Sequence, residues 1–418
     1  MEQGAHVPET HAAGAELTNV RPLRGANRDD GRQANLSLVL RLAHQNPNIS
    51  RSELTRITGL NRSTISDLVG ELTDLELIEE QSIGTSASVG RPSLQVNPRS
   101  DVLALSFIPS RSAAKLVAVG MHGKVVAEIR RSTTEQPDPY EMSQIARSML
   151  RELIDQLPKK SRIAGIGSAI PGPVDVTTGT VLFCRQLDWV DVEFGKYLSL
   201  AMNLPAIVDN DSTLVCSAER DFGAGKNFSN SVYLYGGHGG IGGGAVIGGQ
   251  TLRGSLGLAG ELGHMRISDS RTEDSTGLRG TLEALVRRED LLHALKQSEL
   301  SDEQLNEAIL ASKLPRVQKT VNQQIDHLGT AIANIVNIFN PEAVLLAGFL
   351  STLFEADDYR LLSRIREGTL SGSRERVIIR KAALGGDGVS IGAAELAFDP
   401  LLQNPGQFEL VEAKKILS

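Results

Sequence analysis

Asn61, Arg62, Ser63, Thr64 and Ser66 gather hydrogen-bonding side chains into one short stretch. Hydroxyls, an amide and a guanidinium can donate to and accept from the edges of nucleotide bases, and an arginine can fork onto guanine or a phosphate. Arg51 and Arg56 precede this stretch, whereas Asp67, Glu71, Asp74, Glu76, Glu79 and Glu80 follow it. Positive charge is therefore collected at one end. A uniformly acidic face would repel a polyanion, and this split presents one suitable end.

Such side chains need rigid elements beneath them. Leu36, Val39, Leu40 and Ala43 follow i, i+3, i+4, i+7 spacing and predict a first helix, ended by Pro47 and Asn48. Ser50-Arg51-Ser52-Glu53 matches a capping box opening a second helix, which turns Leu54 and Ile57 inward and stops at Gly59. A turn through Gly59-Leu60 leads to a third helix with Ile65, Leu68, Val69 and Leu72 on its buried stripe. Two short helices around a Gly turn form a helix-turn-helix, whose second helix offers its N-terminal side chains to the major groove. Leu77-Ile78-Glu79-Glu80, a Gly/Ser loop and Gly90-Arg91-Pro92-Ser93-Leu94-Gln95-Val96 then predict two strands flanking a wing. Arg91 there suits a narrow, A·T-rich minor groove. The expected DNA contacts are Arg51, Asn61, Arg62, Ser63, Thr64, Ser66 and Arg91. The ordinary alternative, a helical bundle used only for packing or dimerisation, does not account for the wing.

The 418 residues suggest two or three folding units. With 40% apolar and 22% charged residues the chain has the make-up of a soluble globular protein, and the net charge of −7 argues against binding nucleic acid with the whole surface. Only Cys184 and Cys216 are present, which gives no disulfide framework, fits a reducing compartment and excludes any zinc site needing three thiolates. No apolar run reaches the ~18 residues of a membrane span, and residues 1–33 lack a signal-peptide core, so a disordered tail and a cytoplasmic location are expected. Composition changes near residue 100. A winged helix-turn-helix over 34–98 is followed over 99–400 by a Gly-rich region of alternating strand and helix patterns, which predicts an α/β fold, and 401–418 reads as a C-terminal tail.

Within that region stand, in order, Gly165-Ile166-Gly167-Ser168-Ala169-Ile170-Pro171-Gly172-Pro173-Val174-Asp175 with Gly179 and Leu187-Asp188-Trp189; Val208-Asp209-Asn210-Asp211-Ser212-Thr213 leading to Ala218-Glu219 and Gly223; Gly239-Gly240-Ile241-Gly242-Gly243-Gly244; Gly260-Glu261-Leu262-Gly263-His264; Asn340-Pro341-Glu342 with Gly348; and Gly392-Ala393-Ala394. Together, over roughly residues 35–397, the chain resembles the ROK family of repressors, open reading frames and kinases. The helix-turn-helix and its Gly-Arg-Pro resemble the repressor branch, of the xylose-repressor kind. The resemblance implies a two-lobed, actin-like (ribonuclease-H-like) sugar-kinase fold with a sugar between the lobes.

It also implies roles for single residues. Asn210, Asp211, Glu261, His264 and Glu283 match the family's sugar-binding positions, Glu283 closing a frame begun by Gly277 and Gly280, and Asp211 occupies the position of the catalytic base. Taken alone, Asn210 reads as a turn residue, His264 as a core histidine, and Glu261 and Glu283 as solvated acids. Gln186 stands where the family often has asparagine. The family's kinases carry Asp-x-Gly-Gly-Thr after the first strand to hold phosphate and metal. Here Ser106-Phe107-Ile108-Pro109-Ser110-Arg111-Ser112 lacks the acid and both glycines, and Pro109 has no N–H. The family's zinc cysteines fall at Asp274, Thr276 and Thr281, so no zinc and no other cofactor is expected.

The expected protein is thus a DNA-binding regulator, most simply a repressor, that is not an active enzyme. Its partners are operator DNA and a sugar or sugar-phosphate effector, and it works as a homodimer or homotetramer off the membrane. The alternatives are an active sugar kinase with a fused DNA-binding domain, and a regulator whose kinase-like part only oligomerises.

Overall fold

The computed structural model describes residues 28–82, 94–133, 137–255, 257–372 and 376–417. Helix α1 (Arg28–Gln45) opens it, so ordered helix begins before the expected end of the tail at residue 33. There follow β1 (Ile49–Ser50), α2 (Arg51–Thr58), α3 (Arg62–Asp74), β2 (Ile78–Ser82) and β3 (Leu94–Pro98). The strands form an antiparallel sheet in the order β1-β3-β2, pairing Ile49 and Glu80 with Val96. Leu36, Val39, Leu40, Ala43, Leu54, Ile65, Leu68, Val69 and Leu72 are all buried, as their spacing predicts. Ile57 is not: it is 47% exposed on α2, because Leu54 alone of that pair faces α1 and α3. The hairpin tip, and with it Arg91, lies outside the described residues.

The first lobe comprises β4 (Val102–Pro109), β5 (Ala113–Gly120), β6 (Lys124–Ser132), α4 (Pro139–Gln156), β7 (Arg162–Ile170), β8 (Val174–Asp175), β9 (Thr180–Cys184), β10 (Trp189–Val192), α5 (Phe194–Met202) and β11 (Ala206–Asn210). Its main sheet runs β11-β7-β4-β5-β6, with α4 and α5 packed on one face over Phe107, Leu150, Phe194 and Leu198. The second lobe follows helix α6 (Asp211–Phe222). It holds β12 (Ser231–Gly237), β13 (Gly240–Ile247), β14 (Gln250–Thr251), α7 (Leu282–Leu285), α8 (Arg288–Leu295), α9 (Asp302–Ala311), α10 (Pro315–Phe339), β15 (Ala343–Gly348), α11 (Phe349–Ala356), α12 (Asp358–Gly368) and β16 (Ile378–Lys381). Its sheet runs β14-β13-β12-β15-β16, and α10 buries Val321, Ile325, Leu328 and Ile332 in its core.

Helix α13 (Gly388–Gln403) returns to the first lobe and lies against α6, β4 and β7. The segment after it is not a loose tail. Strand β17 (Val411–Glu412) pairs antiparallel with β7, and Ala413 and Ile416 are buried. The physical reason is an unfilled edge: β11 joins β7 only from Ile166 onward, which leaves Arg162 and Ile163 for β17.

The N-terminal module is seated on this body through α1. Ser37 Oγ donates to the Leu402 carbonyl (2.6 Å), Arg41 pairs with Asp399 (2.8 Å), and buried His44 meets Glu395 through Nε2 (2.8 Å). Gln45 Nε2 donates to Asp221 (2.9 Å), and the His44 ring packs edge-on to Phe222 and Phe398.

Candidate functional site

The start of α6 sets one wall of the cleft. Asn210 caps the helix: its Oδ1 accepts from the Thr213 N–H (3.0 Å) and its Nδ2 donates to the Gly172 carbonyl (3.2 Å). Its amide thereby locks the Pro171-Gly172 turn to the helix, with one Nδ2 hydrogen to spare. Asp211 accepts at Oδ1 from the Ser212 N–H (2.7 Å) and hydroxyl (3.3 Å), which leaves Oδ2 for a ligand. Burial pushes the Asp211 carboxyl up to about 6, against those hydrogen bonds, and the Glu261 carboxylate adds to the rise.

The opposite wall comes from the second lobe. Glu261 is 44% exposed, and its Oε2 lies 4.0 Å from His264 Nε2. Burial raises the Glu261 carboxyl, His264 opposes the rise and Glu283 reinforces it. Glu283 accepts at Oε2 from the Ile241 N–H (2.9 Å) and at Oε1 from the Ser275 N–H and hydroxyl. Both its oxygens are taken, so it clamps the glycine turn before β13 to the 275 loop. A Cβ at Gly240 would stand 2.1 Å from Glu283 Oε2, and φ there is +126°, so only glycine fits. Gln186 lies across the cleft against Gly239, where an added Cβ would meet its Nε2 at 2.3 Å. Asp211, Glu261, His264 and Glu283 are thus brought together, while Asn210 and Glu283 hold backbone as well as facing the cleft.

Ligand atoms of His264, Asp274 and Glu283 lie within 4.8 Å of one another. They do not fit a zinc ion. Zinc takes lone pairs from thiolate, imidazole or carboxylate, and the carboxylates here already accept from protein donors. Asp274 accepts from His264, Thr276, Thr281 and Leu278; burial works to raise its carboxyl, and these hydrogen bonds outweigh it and hold it far below the usual range.

Sequence reasoning missed two buried acids that frame the site. Asp209 is paired with Arg253 of the second lobe across the cleft's base. Glu219 accepts at Oε2 from the Ala224 N–H and at Oε1 from the Ala383 and Leu384 N–H groups, tying α6 to the segment before α13. Asp209 and Glu219 stood inside the quoted motifs, but a motif does not name a partner far away in sequence.

On the N-terminal module, the capping box is formed: Ser50 accepts from the Glu53 N–H and Glu53 from the Ser50 N–H. Asn61 caps α3 by accepting from the Thr64 N–H (2.8 Å) and the Ser63 hydroxyl (2.6 Å). Arg62 and Ser63 are exposed on the first turn, and Thr64 is half-buried. Arg51, expected as a DNA contact, is engaged within the module. Its Nε and Nη2 fork onto Glu80 (2.7 and 2.6 Å), and its Nη1 donates to Ser66 (2.9 Å). The pair ties α2 to β2 and α3 and neutralises the charge.

Where the resemblance places the kinases' first phosphate loop, β4 runs straight into β5 through a turn closed by Ser110 donating to the Ala113 carbonyl from both its N–H (2.8 Å) and its hydroxyl (2.9 Å). Ser106 is fully buried. The turn offers no carboxylate to a metal.

The fold and cleft define a two-lobed, sugar-kinase-like α/β body carrying a winged helix at its N-terminus. Residues 111–399 match the ROK family, and the chain belongs to it. It is 29% identical over 345 residues to a xylose repressor of Caldicellulosiruptor bescii, covering 77% of this chain and 86% of that one. A glucokinase of Halalkalibacterium halodurans is 30% identical over 273 residues, covering 60% of this chain and 81% of the enzyme. The crystal structure of a ROK family transcriptional regulator, a homolog of the E. coli MLC protein, superposes with a TM-score of 0.74 over 92% of this chain and 98% of the other at 24% identity, a likeness of fold. Among the described residues no helix is long and apolar enough to cross a membrane.

Proposed function

We propose that this chain is a DNA-binding transcriptional repressor whose kinase-like body takes a sugar or sugar derivative as effector and does not phosphorylate it. The observation that carries the reading is helix α6. Its first turn presents Asn210 and Asp211 to the cleft, and its last turn puts Asp221 and Phe222 against α1 of the DNA-binding module. Twelve residues of helix, about 18 Å, thus span the two sites. Lobe closure on a sugar shifts α6, and α1 moves with it. The repressor names of relatives that cover most of their length support the same reading.

Asp211, Glu261 and His264 bind the sugar hydroxyls, Asn210 holds the wall, and Glu283 shapes the glycine turn. Arg62, Ser63, Thr64 and Asn61 read the major groove, Arg51 and Ser66 brace that helix, and Arg91 enters the minor groove. A homodimer or homotetramer pairs two modules on half-sites, which gives the interface area that tight operator binding needs. Catalysis is lost at the Ser106–Ser112 turn, because phosphoryl transfer depends on fixing the nucleotide and its metal.

Gel shifts on the DNA upstream of the protein's own gene, run with a panel of pentoses and hexoses, test the reading. Retarded DNA that one sugar releases is expected, with Arg62→Ala and Arg91→Ala weakening retardation. No sugar altering the shift, or hexose-dependent ATP hydrolysis, would overturn it.

A further inference from the structure

The side chain of Asp274 is 0% exposed, although the loop around it is largely solvent-facing. Its Oδ2 accepts from His264 Nδ1 (2.9 Å) and the Thr281 hydroxyl (2.9 Å). Its Oδ1 accepts from the Thr276 N–H (2.9 Å), the Thr276 hydroxyl (2.8 Å) and the Leu278 N–H (3.0 Å). A carboxylate has about four lone-pair sites, and these donors fill them. The loop is shaped to keep the carboxylate there. The Asp274 N–H donates to the Leu278 carbonyl and the Gly277 N–H to the Asp274 carbonyl, while Gly280, at φ +67°, passes so close to the Ser268 carbonyl that a Cβ would stand 2.1 Å from it.

Asp274, Thr276 and Thr281 stand where the family resemblance places thiols, and His264 where it places the histidine. A zinc ion held by thiolates would draw 264, 274, 276 and 281 together by accepting their lone pairs. In this chain three of the four are hydrogen-bond donors instead: an imidazole N–H and two hydroxyls. Donors need an anion at the centre, not a cation.

We propose that the Asp274 carboxylate takes the place of a metal in this chain and is the positioning residue for His264, keeping the proton on Nδ1 and turning a lone pair on Nε2 into the cleft. The tautomer of an imidazole is set by the hydrogen bond its other nitrogen makes. His264 Nε2 then joins Glu261 Oε2, 4.0 Å away, and Asp211 Oδ2 as hydrogen-bond acceptors. A wall of acceptors selects a ligand rich in hydroxyl donors. This deepens the sugar-site reading and rests on it for the ligand, but not for the tautomer or the absence of zinc.

The test uses the full chain. Long-range proton–nitrogen NMR of the imidazoles is expected to show His264 as the Nδ1–H tautomer, and metal analysis of protein purified with zinc in the medium is expected to show no bound zinc. Asp274→Asn keeps the shape, but its NH2 must face donors whichever way the amide is turned. The His264 tautomer then becomes mixed, and affinity for the aldopentose or aldohexose that wild type binds best falls about tenfold, the net worth of one hydrogen bond. Because Asp274 acts through His264, Asp274→Asn made on a His264→Ala background costs no further affinity.

One zinc per chain, an Nε2–H tautomer in wild type, or equal losses from Asp274→Asn with and without His264 would overturn the proposal. Should Asp274→Asn fail to fold, the wild-type tautomer and zinc content decide it. If wild type binds no sugar, the sugar-site reading fails, and those two measurements still judge Asp274 separately.

Discussion

Asp211 is held at the head of α6 in a form the fold does not favour. Burial, with Glu261 nearby, pushes its carboxyl from an ordinary 3.8 to about 6. The folded chain therefore holds this proton more tightly than the unfolded chain does. Its contribution to stability is present below about 3.8 and is lost as pH rises through about 6. At neutral pH the ionised carboxylate is a cost. Asp211→Asn is expected to stabilise the protein there by roughly 1–3 kcal/mol and to give no gain below about pH 4. Urea unfolding at the two pH values measures it, and an equal effect at both would refute the assignment. The same variant is expected to abolish sugar binding, because an amide cannot replace an acceptor-only carboxylate. A group kept at a cost to stability is what a ligand site leads one to expect.

The N-terminal helices show how far pattern and capping chemistry reach. Ser50→Ala removes the oxygen that caps α2 and is expected to cost about 1 kcal/mol, read as a lower denaturation midpoint. On α3, Arg62 is exposed at the first turn, so Arg62→Ala is expected to lower operator affinity and reduce the salt slope by about 1; an unchanged slope would remove Arg62 from the phosphates. Sequence alone made α2 and α3 legible because the Ser50–Glu53 box acts within three residues and the buried stripes repeat at the helical period, whereas Asn61, read as a DNA contact, also caps α3. Ile57 was misread because the period places a residue on a face but does not say how wide the buried face is. Residues 411–416 were misread for another reason: β17 is fixed by Ile163, far earlier in the sequence, and no local signal carries that pairing. Arg51 reads as a DNA contact in the sequence, and nothing local shows that β2 brings Glu80 beside it. In the pocket, residue types were legible through the motifs, whereas the commitment of both Glu283 oxygens and the central place of Asp274 needed the loop in three dimensions.

Across the whole molecule, the proposed function makes the contacts of α1 with α6 and α13 the route by which a sugar is felt by DNA. A ligand shifts an equilibrium only through unequal affinity for two states, and something must distinguish those states at both sites. On the proposed reading α6 does, with Asp211 at one end and the Gln45–Asp221 bond (2.9 Å) at the other. The Arg41–Asp399 pair joins α1 to α13 instead and is more exposed, its side chains being 35% and 45% accessible. Gln45→Ala is therefore expected to leave sugar affinity and the melting temperature nearly unchanged while shrinking the factor by which sugar weakens DNA binding, itself about 5- to 150-fold for ordinary coupling. Arg41→Ala is expected to change that factor less. Because linkage is reciprocal, operator DNA must weaken sugar binding by the same factor in each variant, so titrating sugar with and without DNA gives a second reading. If Gln45→Ala keeps the full factor while Arg41→Ala loses it, the signal runs through α13 and not α6.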